Sequence, residues 1–316
     1  MEKPSNLLLK LTRRLFTDTD EQNKFIDALI NPQPFHPCII WCKEKPKETP
    51  FILAESIPWQ PNFIERLSLP EKPGKHPLHE QGYFYCLDFS SVFAASTLLA
   101  INQPIKYIVD MCASPGGKGI FAWRLLQPDL LICNEVIGKR LGMLISNLKR
   151  CHIQPSLVIN QDSSIFAQEI PLSSNLVIID APCTGQSLLA KGIKAPGCFH
   201  PSSINKSANR QKRIIANSAQ IVAPQGYIAY MTCAYSPEEN EQVCQWFLKR
   251  FPQFKAVEVP HLAPYQSHLT SVYCYRMFPQ YGLGAGSFTA LFQNTDHGDI
   301  QEMNLDNSSL KTVFSY

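Results

Sequence analysis

The pattern of apolar and polar positions changes character near residue 80. Before that point, helical spacing predicts a helix over 20–30, and the run Cys38-Ile39-Ile40-Trp41-Cys42 predicts a strand. Residues 50–80 are broken by Pro50, Pro58, Pro61, Pro70, Pro73 and Pro77, so no long regular element fits there. Beyond it, short apolar runs alternate with helix-period segments. Strands are expected at 106–110, 130–133, 157–159, 176–180 and 227–231. Helices are expected over 120–126 and 138–150, the latter carrying Leu141, Leu144, Ile145 and Leu148 on one face. Ser236, Pro237 and Glu239 give a capped start to a further helix through Val243, Trp246, Phe247 and Arg250. Segments 271–278 and 287–292 fit a hairpin at a sheet edge.

Strands that are apolar on both faces need helices on both sides, which predicts a doubly wound, mostly parallel α/β sheet. Ligands of such sheets bind at the carboxyl ends of the strands. The expected organisation is a small α+β unit over 1–80, the main domain over 81–295, and a polar, mobile tail over 296–316. At 316 residues, with 45% hydrophobic and only 17% charged residues, the chain has ample material for a core and is not disordered. No apolar run is long enough to span a bilayer, so no membrane role is expected. The N-terminal apolar patch is short, is broken by Lys10, and is followed by no small-residue cleavage site, so no secretory signal is expected.

Eleven cysteines in a chain of this size, an odd count, argue for reduced thiols and a cytoplasmic setting. None has Cys-x-x-Cys spacing, and His36, Cys38 and Cys42 make only half a metal site, so no metal is expected. The net charge of +3 says little, but its distribution is uneven. Between residues 181 and 237 there is no acid, while Lys191, Lys194, Lys206, Arg210, Lys212 and Arg213 are all basic. That stretch is either a polyanion-attracting surface or a solvated helix face.

Candidate chemistry collects at predicted strand ends. The segment Asp110-Met111-Cys112-Ala113-Ser114-Pro115-Gly116-Gly117-Lys118 joins the first strand to a helix, and its glycines would let backbone amides approach a ligand. It lacks the spacing of a Walker loop or a dinucleotide fingerprint. Glu135 can accept from ribose hydroxyls, Asp162 could hold an adenine amino group, and Asp180 follows the fourth strand. Carboxylates gathered at one sheet edge suit a donor-rich, cationic ligand, although each alone could be a cap or turn residue. Cys183, in Asp180-Ala181-Pro182-Cys183-Thr184-Gly185, and Cys233, in Thr232-Cys233-Ala234, follow the fourth and fifth strands and would face one crevice.

These motifs resemble, in order, those of the RsmB/RsmF-type (Sun/Fmu) RNA cytosine-5 methyltransferases, over about residues 82–291. The cofactor loop, Asn134-Glu135 with Arg140 and Asn147, the two cysteine motifs, Ser236 to Glu241, and Arg276, Pro279, Gly286, Phe288 and Ala290 carry the likeness. The resemblance implies a Rossmann-like class I methyltransferase with a mostly parallel seven-stranded sheet, an RNA-binding N-terminal domain, and S-adenosylmethionine as cofactor. It implies Cys233 as the nucleophile on cytosine C6 and Cys183 as the residue of the release step. Asp180 would bond the base at N3 or N4, and Lys118 would contact the base oxygen or the thiolate. Cys112 to Lys118, Glu135, Arg140, Asp162 and Asp180 would hold the cofactor. The partner would be RNA with a single-stranded, looped or flipped cytosine, ribosomal or transfer RNA being left open, and the chain is expected to act as a monomer. In that setting Lys191, Arg210, Lys212 and Arg213 are expected to touch phosphates, while Phe199 and Tyr235 could stack on bases or pack in the core. The chain departs from the family pattern at Gly119, where Thr is common, at 86–91 and at 40–42. Two rival readings are a DNA cytosine-5 methyltransferase, which would use the Pro-Cys cysteine and not need Cys233, and an inactive RNA-binding scaffold.

Overall fold

The computed structural model describes residues 3–305 and 308–316; positions 1–2 and 306–307, in the expected N-terminal unit and tail, lie outside the described residues. Helices α1 (Asn6–Leu15) and α2 (Thr19–Ile30) are capped by Ser5 and Asp18, whose side chains accept from amides of the first turn. Their apolar stripes, including Leu8, Leu11, Leu15, Phe25 and Leu29, share one cluster with Tyr235 and Phe278 of the main domain. Strands β1 (Cys38–Trp41), β2 (Ile64–Arg66) and β3 (Phe84–Leu87), with the one-turn α3 (Pro77–Glu80) before β3, form an antiparallel sheet ordered β2-β1-β3. Its third strand lies past residue 80.

After α4 (Phe89–Ser96), strands and helices alternate. They run β4 (Tyr107–Asp110), α5 (Gly117–Leu126), β5 (Leu130–Asn134), α6 (Gly138–Arg150), β6 (Ser156–Ile159), α7 (Ser163–Glu169), β7 (Ser174–Asp180), α8 (Pro201–Ile221), β8 (Val222–Thr232) and α9 (Glu241–Arg250). Strands β9 (Phe254–Ala256), β10 (Tyr275–Met277), β11 (Ser287–Asn294) and β12 (Thr312–Ser315) follow. The spatial order is β10-β11-β8-β7-β4-β5-β6-β12, with β9 on β11. Strands β6, β5, β4, β7 and β8 are mutually parallel, and the order turns back between β4 and β7, where such sheets open a ligand crevice.

Successive strand residues serve opposite faces. Ile108, Leu131, Val158, Ile178 and Ala229 belong to one buried cluster, and Val109, Ile132, Ile159, Val177 and Ile228 to the other. Each of the Val, Leu and Ile side chains contributes about 1.5–3 kcal/mol by leaving water. This is why the runs read as continuously apolar.

Three expectations change. Among the described residues the sheet has nine strands and not seven, because β9 and β12 add to the expected set. The tail, expected to be mobile, supplies β12, which pairs antiparallel with β6. The helix signalled at Ser236 begins at Glu241: Pro237–Glu239 is a single 3-10 turn, and Asn240 (φ −120°, ψ −99°) interrupts it. Glu239 does not complete a capping box, because its side chain is drawn into the interior. Among the described residues no helix is long and apolar enough to cross a membrane.

Candidate active site

Strands β7 and β8 run parallel with Asp180 opposite Met231, so the loops that leave them start side by side. Those loops bring the Cys183 and Cys233 sulfurs to 3.1 Å, both as free, partly exposed thiols. The Ser187 amide donates to the Cys233 carbonyl at 3.1 Å and ties the loops further. Gln186 was not singled out from the sequence, yet its fully buried side chain accepts from the Tyr235 and Ser236 amides at 2.6 and 2.9 Å and donates to the Cys198 carbonyl at 2.9 Å.

Lys118 reaches this pair from the first turn of α5. Its Nζ lies 2.8 Å from Asp180 Oδ2 and donates to Ser91 Oγ at 2.9 Å. Ser91, on the first turn of α4, is a second position the sequence did not single out; its only signal was its place in the 86–91 segment. Burial opposes the charge on Lys118, but Asp180 and the hydrogen bond between them outweigh it and raise the lysine pKa. The hydrogen bond from Cys183 holds the Cys233 thiol below its ordinary value, against burial and the Asp180 charge, with Lys118 assisting. The Cys183 thiol is pushed well up by that same bond, by burial and by the charges of Cys233 and Glu239. The two thiols are thus shifted in opposite directions, Cys233 towards ionisation and Cys183 away from it.

Beside the thiols opens a cleft of about 470 Å³, lined among others by Cys112, Ser114, Glu135, Asp162, Asp180, Cys183, Arg210, Arg213 and Cys233. Glu135 is buried, accepts from the Ile137 amide at 2.9 Å, and pairs with Arg140 at 3.1 Å. Arg140 also donates to the Ser114 carbonyl, and Asn147 donates to the Pro115 carbonyl at 2.9 Å, so α6 holds the loop after β4 in place. Asp162 caps α7 and pairs with Arg213 at 3.0 Å. Burial would raise the Asp162 pKa, but the Ser164 contacts and Arg213 lower it on balance. Ala113, Pro115, Gly116, Gly117 and Lys118 are not among the residues lining this cleft.

The glycines have other reasons to be there. Gly116 sits at φ +116°, and a Cβ on Gly117 would meet Leu87 Cδ1 at 2.6 Å. Turn geometry at Gly116 and the packing of β3 on α5 at Gly117 favour glycine there whether or not a ligand approaches. Asp110 is fully buried, and among the described residues neither of its oxygens has a hydrogen bond of good geometry, the Cys112 amide being its one weak contact. Burial, then the Asp180 charge, push it up to about 7. Acidic side chains around the cleft and a weakly partnered carboxylate behind it fit a cationic, donor-rich molecule of nucleoside size.

The basic stretch does not form one patch. Arg210, which donates to the Pro182 carbonyl at 3.2 Å, and Arg213 line the cleft. Lys191 pairs with Asp88 at 2.9 Å, and Lys212 lies 5.8 Å from the Trp246 ring centroid. Tyr235 is 1% exposed and packs edge-on to Phe25 at 5.0 Å, so it is core and cannot stack on a base. Phe199 packs against the same cluster.

A sheet of this order, with a carboxylate-lined cleft at its switch point, defines the class I, S-adenosylmethionine-dependent methyltransferases. Residues 96–293 match the family described as 16S rRNA methyltransferase RsmB/F, and the chain belongs to that family. Membership implies S-adenosylmethionine as the cofactor. The chain is 30% identical over 247 residues to ribosomal RNA small subunit methyltransferase F of Cronobacter sakazakii, covering 76% of this chain and 51% of that protein. The enzyme of the same name from Pectobacterium carotovorum is 30% identical over 202 residues, covering 63% of this chain and 42% of that protein. The chain thus spans about half the length, or less, of these relatives. Two solved structures share the fold. A methyltransferase homologue from Pyrococcus horikoshii has a TM-score of 0.69 at 21% identity, covering 92% of this chain and 100% of that one. NSun6 from the same organism, solved with SFG, has a TM-score of 0.71 at 17% identity, covering 93% and 99%.

Proposed function

We propose that the chain transfers a methyl group from S-adenosylmethionine to C5 of a cytosine in RNA, and that ribosomal RNA, named in its family and relatives, is the substrate class. The single observation that carries this reading is the 3.1 Å approach of Cys183 and Cys233 beside the cleft. A methyltransferase acting on oxygen or nitrogen has no use for a pair of sulfurs. Cytosine C5 is a weak nucleophile, and addition of a thiolate at C6 supplies the missing electron density.

Cys233, with its depressed pKa, forms the Sγ–C6 bond, and electrons pass from the C5–C6 double bond onto C5. Asp180 bonds the base at N3 or N4 and Lys118 balances the negative charge that develops. S-adenosylmethionine supplies the electrophilic methyl group, and Glu135, Asp162, Cys112 and Ser114 are the residues that would hold it. In release a base takes the C5 proton, the C5–H electrons restore the C5–C6 double bond, and the C6–Sγ electrons return to Cys233 as thiolate; a Cys183 that has first lost its own proton to water can be that base. Cys183 is assigned to this step. Arg210 and Arg213 border the cleft where phosphates flanking an unstacked base would pass.

Cys233→Ala should abolish methylation of ribosomal RNA, read by bisulfite sequencing. Cys183→Ala should leave the first bond intact and accumulate a protein–RNA species that survives denaturation. Turnover retained in Cys233→Ala would shift the attack to Cys183, the arrangement of the DNA enzymes. No methylation by the wild type on any RNA would leave the scaffold reading.

A further inference from the structure

We infer that Glu239 is the positioning group that makes Cys233, and not Cys183, the attacking sulfur, by clamping the two cysteine loops together and placing its negative charge on the Cys183 side. This rests on the two-sulfur reading proposed above. The Glu239 side chain is fully buried, and among the described residues no basic side chain forms an ion pair with it. It accepts from Thr184 N at 2.9 Å and Thr184 Oγ1 at 2.6 Å, directly after Cys183. It accepts from Ser236 Oγ at 2.7 Å in the loop of Cys233, and from Gln211 Nε2 of α8 at 3.1 Å. Its backbone carbonyl accepts from the Tyr230 hydroxyl at 2.6 Å, which fixes the turn against β8.

A carboxylate surrounded only by donors has its charge satisfied by hydrogen bonds and keeps its field. That field falls on Cys183, whose thiol it helps to keep protonated. Lys118, bound to Asp180, is the cation that faces Cys233. Lys118 favours the thiolate on Cys233 against the opposing charge of its partner Asp180, so the Glu239 charge on the Cys183 side is what tips the proton towards Cys183. A purely structural clamp would need the hydrogen bonds but not the charge.

The arrangement allows the two to be separated. Both N–H donors meet Glu239 Oε1 and both hydroxyls meet Oε2. In Glu239→Gln the amide oxygen keeps the N–H donors and the amide nitrogen donates to the hydroxyl oxygens, so shape survives and charge goes. The probe is iodoacetamide on the full chain, without RNA or cofactor, with the labelled cysteine mapped by mass spectrometry at fixed pH. Wild type should label at Cys233 well ahead of Cys183. In Glu239→Gln that preference should fall about tenfold, the effect of one pKa unit on the thiolate ratio. A preference unchanged within about twofold in a folded variant overturns the inference.

If Glu239→Gln does not fold, the test passes to Thr184→Val, which removes one clamp donor and leaves the charge. Diamide takes up the two thiol hydrogens as it joins Cys183 to Cys233, and its rate reads their separation. It should fall in Thr184→Val and recover in Thr184→Ser; an unchanged rate overturns the clamp. Neither assay requires methyl transfer. An inactive enzyme with intact labelling preference would fault the function and spare Glu239, whereas the reverse outcome would fault Glu239 alone.

Discussion

Replacing Arg276 by methionine should cost the main domain about 3–5 kcal/mol of stability before any compensation. Its side chain is 3% exposed, and that of its partner Glu241 is 2% exposed. The guanidinium donates to both Glu241 oxygens and to the Tyr235 carbonyl at 2.8 Å, and lies against the Phe278 and Phe288 rings. Without it, Glu241 remains in the core with the Ser267 hydroxyl, at 2.6 Å, as its remaining side-chain donor. Stranding one member of a buried pair costs about 3–5 kcal/mol. The favourable dipole of the first turn of α9 returns only about 0.3–1 kcal/mol of this. Spread over an unfolding entropy of roughly 2 cal/mol/K per residue, the net loss lowers Tm by about 3–7 °C in a chain of 316 residues. Differential scanning calorimetry of the single variant reads the shift. The double variant Arg276→Met/Glu241→Leu removes both charges and should recover most of it. A drop under about 2 °C in the single variant, or a double variant no better than the single, would refute the reasoning.

Other outcomes follow from the same geometry. Asp110, held at about 7 against an ordinary carboxylate value, binds its proton more tightly folded than unfolded, so its contribution to stability declines as pH rises from about 4 to 7. Wild type should lose on the order of 2 kcal/mol relative to Asp110→Asn between pH 5 and 8 in urea titrations, and parallel profiles would contradict this. Lys118→Met should lower single-turnover methylation by about 100-fold or more and slow iodoacetamide labelling of Cys233; unaltered labelling would remove the lysine from the thiolate's environment. Arg210→Glu should weaken RNA binding and flatten its salt dependence, while Lys212→Glu, turned towards Trp246, should not; equal effects would restore the single-patch view.

The strands and the two cysteine loops were legible because their information is local. Continuous apolar runs of four or five residues mark buried parallel strands, and the residues directly after them must lie at one edge. What could not be read depended on partners distant in the chain. Helix α8 escaped notice because part of its buried side is Ser207, Ala208, Gln211 and Ser218, whose small or polar character hides the helical period. Glu239 matched a capping pattern with its neighbours, yet Thr184 and Gln211 supply more bonds than a cap would. Ser91 acquires its meaning only when α4 folds against Lys118. The basic stretch looked uniform in sequence, but side chains on one helix point in different directions, and α8 divides Arg210 from Lys212.

Strand β12 has a further consequence. Without it β6 would end the sheet with unpaired backbone donors and acceptors, a surface on which other chains can build. Its backbone instead meets β12, and the Ser156 and Tyr316 main chains exchange bonds at 2.8 and 2.9 Å. The last few residues thus act as a selvedge. Trimming them should leave the catalytic loops untouched and make the protein prone to self-association, which light scattering would register.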